Sequence, residues 1–147
     1  MTKLKSLVSG IGNSQEITKY YDSWSKDYDK TLNYWKYTAP SKSINILIRK
    51  LEKQPKNILD LACGTGLFGT ELKNNFGKAN IYGSDISSKS LILAKKKDIY
   101  KKLFRSNFEN RYNYKIKFDL ISMIGSMTYC KNFEKLFSNL FFYLNKK

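Results

Sequence analysis

Apolar positions change rhythm along this chain, and the changes set out its elements. Across residues 14–32, Ile17, Tyr20, Tyr21, Trp24 and Tyr28 recur at three- and four-residue spacing. That spacing predicts an amphipathic helix, with Ser14 as its cap and Glu16 in its first turn. Residues 40–53 predict a second helix, opened by Pro40 and carrying Ile44, Leu47, Ile48 and Leu51 on one face. Gln54-Pro55-Lys56 breaks it. Residues 57–61 are then a short apolar run of the kind a buried strand shows. A glycine loop follows, leading into a helix through Leu67, Phe68, Leu72 and Phe76 that Gly77 closes. Residues 80–84 predict a second strand that delivers Asp85, after which Ser87 caps a helix with Leu91, Ala94, Ile99 and Tyr100 turned inward. Residues 103–106 predict a short third strand, and residues 118–123 a fourth, covered on both faces. From Lys131 onward, Phe133, Leu136, Phe137, Leu140, Phe141 and Leu144 mark a strongly amphipathic helix.

Strands alternating with helices predict an α/β fold: a doubly wound, Rossmann-like, mostly parallel sheet preceded by two helices. Residues 1–13 read as a loose lead, and residues 14–147 as one domain. Composition narrows the class. Hydrophobic content of 41% and aromatic content of 15% exclude a disordered chain. No apolar stretch approaches the ~20 residues of a membrane span, and the first residues are too interrupted for a signal peptide. Cys63 and Cys130 lack metal-ligand spacing and the chain has no histidine, so no metal site is expected. Free thiols suit a reducing, cytoplasmic setting. The net charge of +15 raises nucleic acid as a partner. Only Arg49, Arg105 and Arg111 are arginines, however, and the lysines are spread along the chain, which argues for nonspecific charge over specific recognition.

The chemistry concentrates in residues 58–69, Ile-Leu-Asp-Leu-Ala-Cys-Gly-Thr-Gly-Leu-Phe-Gly. Strand, glycine turn and helix in that order make a floor for a nucleotide-like ligand, because glycines admit close approach and the helix start offers free N–H groups. Gly64-Thr65-Gly66-Leu67-Phe68-Gly69 is a literal G-x-G-x-x-G with Asp85 downstream, which would suit a nicotinamide dinucleotide. Asp60 disfavours that reading. A carboxylate just before the glycines opposes a diphosphate and favours a ligand with a positive end, such as an amino-acid ammonium. Right-handed crossovers bring Asp60 and Asp85 to the same edge of the sheet, where Asp85 offers two acceptor oxygens to a ribose diol.

With these residues in place, the chain resembles the class I S-adenosylmethionine-dependent methyltransferases. It is most similar to the Williams–Beuren-region methyltransferase-like group and the related bacterial TPR-repeat methyltransferases. The landmarks are Tyr21-Asp22-Ser23-Trp24-Ser25-Lys26-Asp27-Tyr28-Asp29, Lys36-Tyr37-Thr38-Ala39-Pro40, the loop from Leu59 to Leu67, and Gly83-Ser84-Asp85-Ile86-Ser87. The resemblance implies a cofactor pocket. Tyr28 approaches the methionine moiety; Asp60, Ala62, Gly64 and Gly66 line the loop; Asp85 holds ribose and Ile86 packs on adenine. Asn107, beside Phe108, stands where relatives often have an aspartate facing the adenine amino group, and Met123 lies near the sulfonium. No Asn-Pro-Pro-Tyr follows the fourth strand, which disfavours methylation of a DNA base. The acceptor, a small molecule or a protein, is not named by the sequence, and neither is a general base.

The resemblance also implies three further strands after the last helix, and these are missing from the chain. Residues 118–123 are therefore expected to form an uncovered edge, open to self-association. Two alternatives stay beside the methyltransferase reading. One is a non-catalytic cofactor-binding remnant or subunit of a split enzyme. The other is an NAD-binding oxidoreductase, which Asp60 and the long helical lead disfavour.

Overall fold

The computed structural model describes residues 13–146. Two helices lead, α1 (Ser14–Tyr34) and α2 (Ala39–Lys50), followed by β1 (Asn57–Leu61), α3 (Leu67–Asn75) and β2 (Asn80–Asp85). Then come α4 (Ser88–Lys96), β3 (Lys102–Arg105), β4 (Leu120–Ser122), a single 3-10 turn (Met127–Tyr129) and α5 (Phe133–Tyr143). Element order and type follow the hydrophobic rhythm, while several ends move. Asn13, not Ser14, caps α1: it sits in extended backbone and its side chain accepts from the N–H groups of Gln15 and Glu16. Ser14 is already helical, so its hydroxyl is left to other partners. At its far end α2 stops at Lys50, because Leu51 turns extended. Helix α3 closes with the Phe76 N–H on the Leu72 carbonyl, and Gly77 does not adopt the left-handed conformation expected of a terminating glycine. Asp98 takes a positive φ of 53°, which ends the helical path of α4 and puts Ile99 and Tyr100 on the loop beyond it.

The four strands are parallel in the order β3-β2-β1-β4, so the first crossovers diverge from β1. Asp60 pairs with Gly83 on one side and Ser122 on the other, and Asp85 pairs with Arg105. Strand side chains alternate between two packed layers. Ile58 and Ile81 join Ile44, Phe68 and Leu72 under α2 and α3. Leu59, Leu61 and Tyr82 join Phe104, Tyr114, Phe118, Leu136 and Tyr143 under α5. Both faces of the short sheet are thereby covered, as a parallel sheet requires.

The edge expected to lie open over residues 118–123 is partly closed. As α5 ends, the chain returns beside Phe118, which pairs with Leu144. The Phe118 N–H donates to the Tyr143 carbonyl at 3.0 Å, and the Asn145 N–H donates to the Phe118 carbonyl at 2.8 Å. Among the described residues, Leu120–Ser122 has β1 as its sole strand partner.

Candidate functional site

The site begins where β1 and β2 end side by side. Beyond Leu61 the backbone takes positive φ at Ala62 (56°), Gly64 (55°) and Gly66 (90°), a tight path that glycine follows without strain. The loop is pinned to β2, with the Cys63 N–H on the Ser84 carbonyl at 3.0 Å and the Gly64 N–H on the Asp85 carboxylate at 2.8 Å. The second Asp85 oxygen accepts from the Ser87 N–H at 2.8 Å, while the Ser87 hydroxyl caps α4 through the Ser90 N–H. Burial pushes the Asp85 carboxyl above the ordinary carboxylate range, although three backbone N–H groups oppose it.

Asp60 is buried at 1% exposure. Its carboxylate accepts from the Tyr100 hydroxyl at 2.7 Å and from the Ser122 hydroxyl at 3.0 Å. Burial pushes its pKa from 3.8 up to about 6, the two hydroxyls hold it down, and the nearby Asp85 charge raises it again. Both acids border one cleft at the carboxyl edge of the sheet, enclosing about 1070 Å³ with its open mouth included. Its walls alternate in character. Ile86, Phe108, Leu67, Phe68 and Ile124 supply apolar surface; Tyr21, Tyr28, Tyr37 and Tyr129 supply hydroxyl-bearing rings. No lysine or arginine lines it among the described residues, in a chain of net charge +15, whereas Asp60, Asp85 and Glu109 do. The cleft is therefore suited to a neutral or cationic group more than to an anion. A Cβ placed on Gly64 would meet no atom within 4 Å, so the space above the glycine loop belongs to the cleft.

Helix α1 forms the cover, and two of its carboxylates fasten it. Asp22 accepts from the Ser87 hydroxyl and from the Lys89 N–H, at the start of α4. Two helical turns on, Asp29 accepts from the buried Thr65 hydroxyl and pairs with Lys97 at 2.8 Å. Tyr21 and Tyr28 then face the cleft, and the Tyr21 and Tyr129 hydroxyls lie 3.0 Å apart. Burial pushes the hydroxyls of Tyr21 and Tyr28 above the ordinary phenol value, so neither serves as a base near neutral pH.

Of the residues singled out in the sequence, Tyr28, Asp60, Ala62, Gly64, Asp85, Ile86, Asn107 and Phe108 all border this cleft. Gly66 and Met123 do not. Gly66 is buried against the Tyr100 ring, which a Cβ there would approach to 3.1 Å. Met123 follows Ser122, whose hydroxyl faces Asp60, and strand alternation turns the next side chain into the layer containing Leu59 and Phe118. Ile124, Gly125 and Ser126 form the wall instead. The amide oxygen of Asn107 already accepts from the Glu109 N–H at 3.0 Å, and its NH2 donates to Ser14 at 2.8 Å. Asp22, Asp29, Thr65, Tyr100 and Ser122 were not foreseen as parts of the site. Asp22 and Asp29 stood in a recognised stretch, but their partners lie more than 30 residues away.

A parallel sheet with its cleft at the carboxyl edge, a glycine loop after the first strand and an acid after the second defines a Rossmann-like α/β domain. The chain belongs to the methyltransferase-domain family, whose model, described as "Methyltransferase domain", matches residues 58–147. The oxidoreductase alternative is thereby set aside. Among curated proteins the chain is 34% identical to human "Methyltransferase-like protein 27" over 96 residues, covering 64% of this chain and 39% of that one. It is 27% identical to "Malonyl-[acyl-carrier protein] O-methyltransferase 2" of Ilyobacter polytropus over 130 residues, covering 87% and 49% respectively. The chain thus spans about half the length, or less, of these relatives. Among solved structures it resembles the plantazolicin methyltransferase BamL, determined with a triazolic desmethylPZN analog and SAH (TM-score 0.69, 24% identity, 98% of this chain and 55% of that one). An S-adenosylmethionine-dependent methyltransferase from Clostridium acetobutylicum gives a TM-score of 0.65 at 26% identity, over 86% and 54%. Among the described residues no helix is long and apolar enough to cross a membrane.

Proposed function

We propose that this chain binds S-adenosylmethionine and is part of an enzyme that transfers its methyl group to a small-molecule or protein acceptor. One observation carries the reading: Asp60, immediately before the glycine loop, and Asp85, after the next strand, border a single cleft that no basic residue lines among the described residues. The fit is chemical. Asp85 is held by the Gly64 and Ser87 N–H groups and keeps lone pairs on both oxygens for a ribose diol. Ile86 and Phe108 supply apolar walls for a flat base. Asp60 provides negative potential for an ammonium, and the tyrosine faces of α1 tolerate positive charge. Gly64 leaves room for the ligand to lie close to the backbone.

When bound, the cofactor supplies a methyl group on a positively charged sulfur, activated for in-line displacement. The residues of this chain then act chiefly by positioning and by excluding water, through the loop, Asp85 and the α1 cover. The described cleft nominates no general base; an amine or thiol acceptor needs little assistance.

Cytoplasmic location, in keeping with two free buried cysteines, belongs to the same reading. So does weak self-association along Leu120–Ser122, which sedimentation velocity over a concentration series tests. Isothermal titration with S-adenosylhomocysteine and with NAD decides the cofactor. The expected outcome is binding of the first alone; tight NAD binding without the homocysteine compound overturns the proposal. Binding without turnover across a panel of acceptors supports the non-catalytic reading.

A further inference from the structure

Three glycines around the site share one neighbour. A Cβ on Gly69 would lie 2.1 Å from the Tyr100 hydroxyl oxygen and 2.4 Å from its Cζ. On Gly83 it would lie 2.9 Å from Tyr100 Cε1, and on Gly66 3.1 Å from Cε2. Gly66 is needed for its φ of 90° in any case, but Gly69 lies in α3 and Gly83 in β2. In such positions glycine is less stable than alanine. Room for the ring explains Gly69, while at Gly83 the ring shares the space with Leu103, whose Cδ2 a Cβ would approach to 2.6 Å. Together the three positions form a socket in which the Tyr100 ring sits, and from it the hydroxyl donates to Asp60 at 2.7 Å. Tyr100 itself does not border the cleft, so it acts on a ligand through the lining residues it touches, Asp60 and Cys63.

We propose that Tyr100 is a positioning residue: seated among Gly66, Gly69 and Gly83, its hydroxyl aims the Asp60 carboxylate at the cleft and keeps it charged. Asp60 faces Tyr100 from the loop after α4, Ser122 from β4, Asp85 from the end of β2 and Cys63 from the glycine loop. No cation is among them. The charged form is supported by the two hydroxyls against burial and a second carboxylate, so losing one of them shifts the balance. The consequence for binding rests on the cofactor reading above.

Tyr100→Phe removes one oxygen and leaves the ring in its socket. The Asp60 carboxyl carbon is followed by ¹³C NMR against pH in the ligand-free wild type and in Y100F, with D60N used for assignment. The midpoint is expected to rise by about one pH unit, the size of a hydrogen bond to a charged group. A midpoint unmoved within about 0.2 units overturns the proposal. In a second arm, S-adenosylhomocysteine affinity is measured from pH 5.5 to 8.5. Y100F is expected to lose roughly eightfold at pH 5.5 and about twofold near pH 7, and to match the wild type by pH 8.5, as Asp60 regains its charge. An equal loss at every pH marks a merely structural role and overturns the proposal. If the wild type takes up no S-adenosylhomocysteine, the cofactor reading falls and the NMR midpoint alone decides Tyr100.

Discussion

Asp60, which the proposed function places beside the ligand's ammonium, is costly to the fold. Its pKa rises from 3.8 to about 6, so the folded state holds a proton more tightly than the unfolded chain. Whatever stability that proton lends is fully present below pH 3.8 and is lost as pH climbs through about 6; above that the buried charge costs ~3 kcal/mol. Asp60→Asn is therefore expected to raise the unfolding free energy at pH 8 by an amount of that order and to leave it nearly unchanged at pH 4. Chemical denaturation at the two pH values measures this. The same variant should weaken S-adenosylhomocysteine binding by tenfold or more at pH 7.5, since a neutral amide does not attract an ammonium. Gly69→Ala probes the Tyr100 socket from the other side. Its Cβ displaces the hydroxyl, so the Asp60 midpoint in the NMR titration is expected to rise as it does in Y100F, despite alanine's better helix propensity. An unchanged midpoint would show that Tyr100 adapts. Asp60 and the glycines were legible as residue types in a spacing. That Gly66 and Gly69 make room for a tyrosine was not, because Tyr100 stands more than 30 positions away and only β2 and the end of α4 bring it there.

Helix α1 depends on charge pairs as well as on its aromatic stripe. Trp24, Tyr20, Tyr21 and Tyr28 pack ring to ring, with centroids 4.7 to 6.1 Å apart. Asp22 and Asp29 then dock this helix on α4 and the glycine loop. The double variant Asp22→Ala, Asp29→Ala is expected to lose about 1–3 kcal/mol, as charge-assisted hydrogen bonds in partly exposed positions do. More tellingly, amide exchange in Ser14–Tyr34 should quicken and S-adenosylhomocysteine affinity should fall while the sheet stays protected. Exchange that speeds up uniformly would mean that α1 is not a separate cover. Helix existence and faces were readable from the three- and four-residue spacing. Ends were less so: Asn13 displaced Ser14 as cap, since an amide side chain one residue earlier reached both free N–H groups. Likewise a left-handed Asp98, invisible to hydrophobic pattern, moved Tyr100 off α4 and towards Asp60.

Across the molecule, a net charge of +15 surrounds a cleft lined by acids. Mutual repulsion among the lysines opposes compactness and is screened over ~10 Å at 0.1 M salt. The thermal midpoint is accordingly expected to rise between 20 and 200 mM sodium chloride, whereas S-adenosylhomocysteine affinity should change little if, as proposed, its contacts lie inside the cleft. Differential scanning calorimetry and titration at both salt concentrations test this; a large loss of affinity with salt would place the binding determinants among the surface lysines. The excess of lysine was plain in composition, but the absence of lysine from the cleft lining among the described residues was not, since charge counts carry no direction.

Hydrophobic periodicity, together with an acid ahead of two glycines and another acid one strand later, was enough to specify a parallel α/β sheet and to point to its carboxyl edge, where the structure opens a cleft. Local spacing dictates which face of an element is apolar and which turns are sterically open, and both act over a few residues. The partners of those acids came from folding alone: Tyr100 and Ser122 on Asp60, Gly64 and Ser87 on Asp85, and Thr65 and Lys97 on Asp29. So did the turn of Met123 into the core. Hydrogen bonds between segments far apart in sequence are set by strand register and crossover packing, which no short stretch of chain encodes.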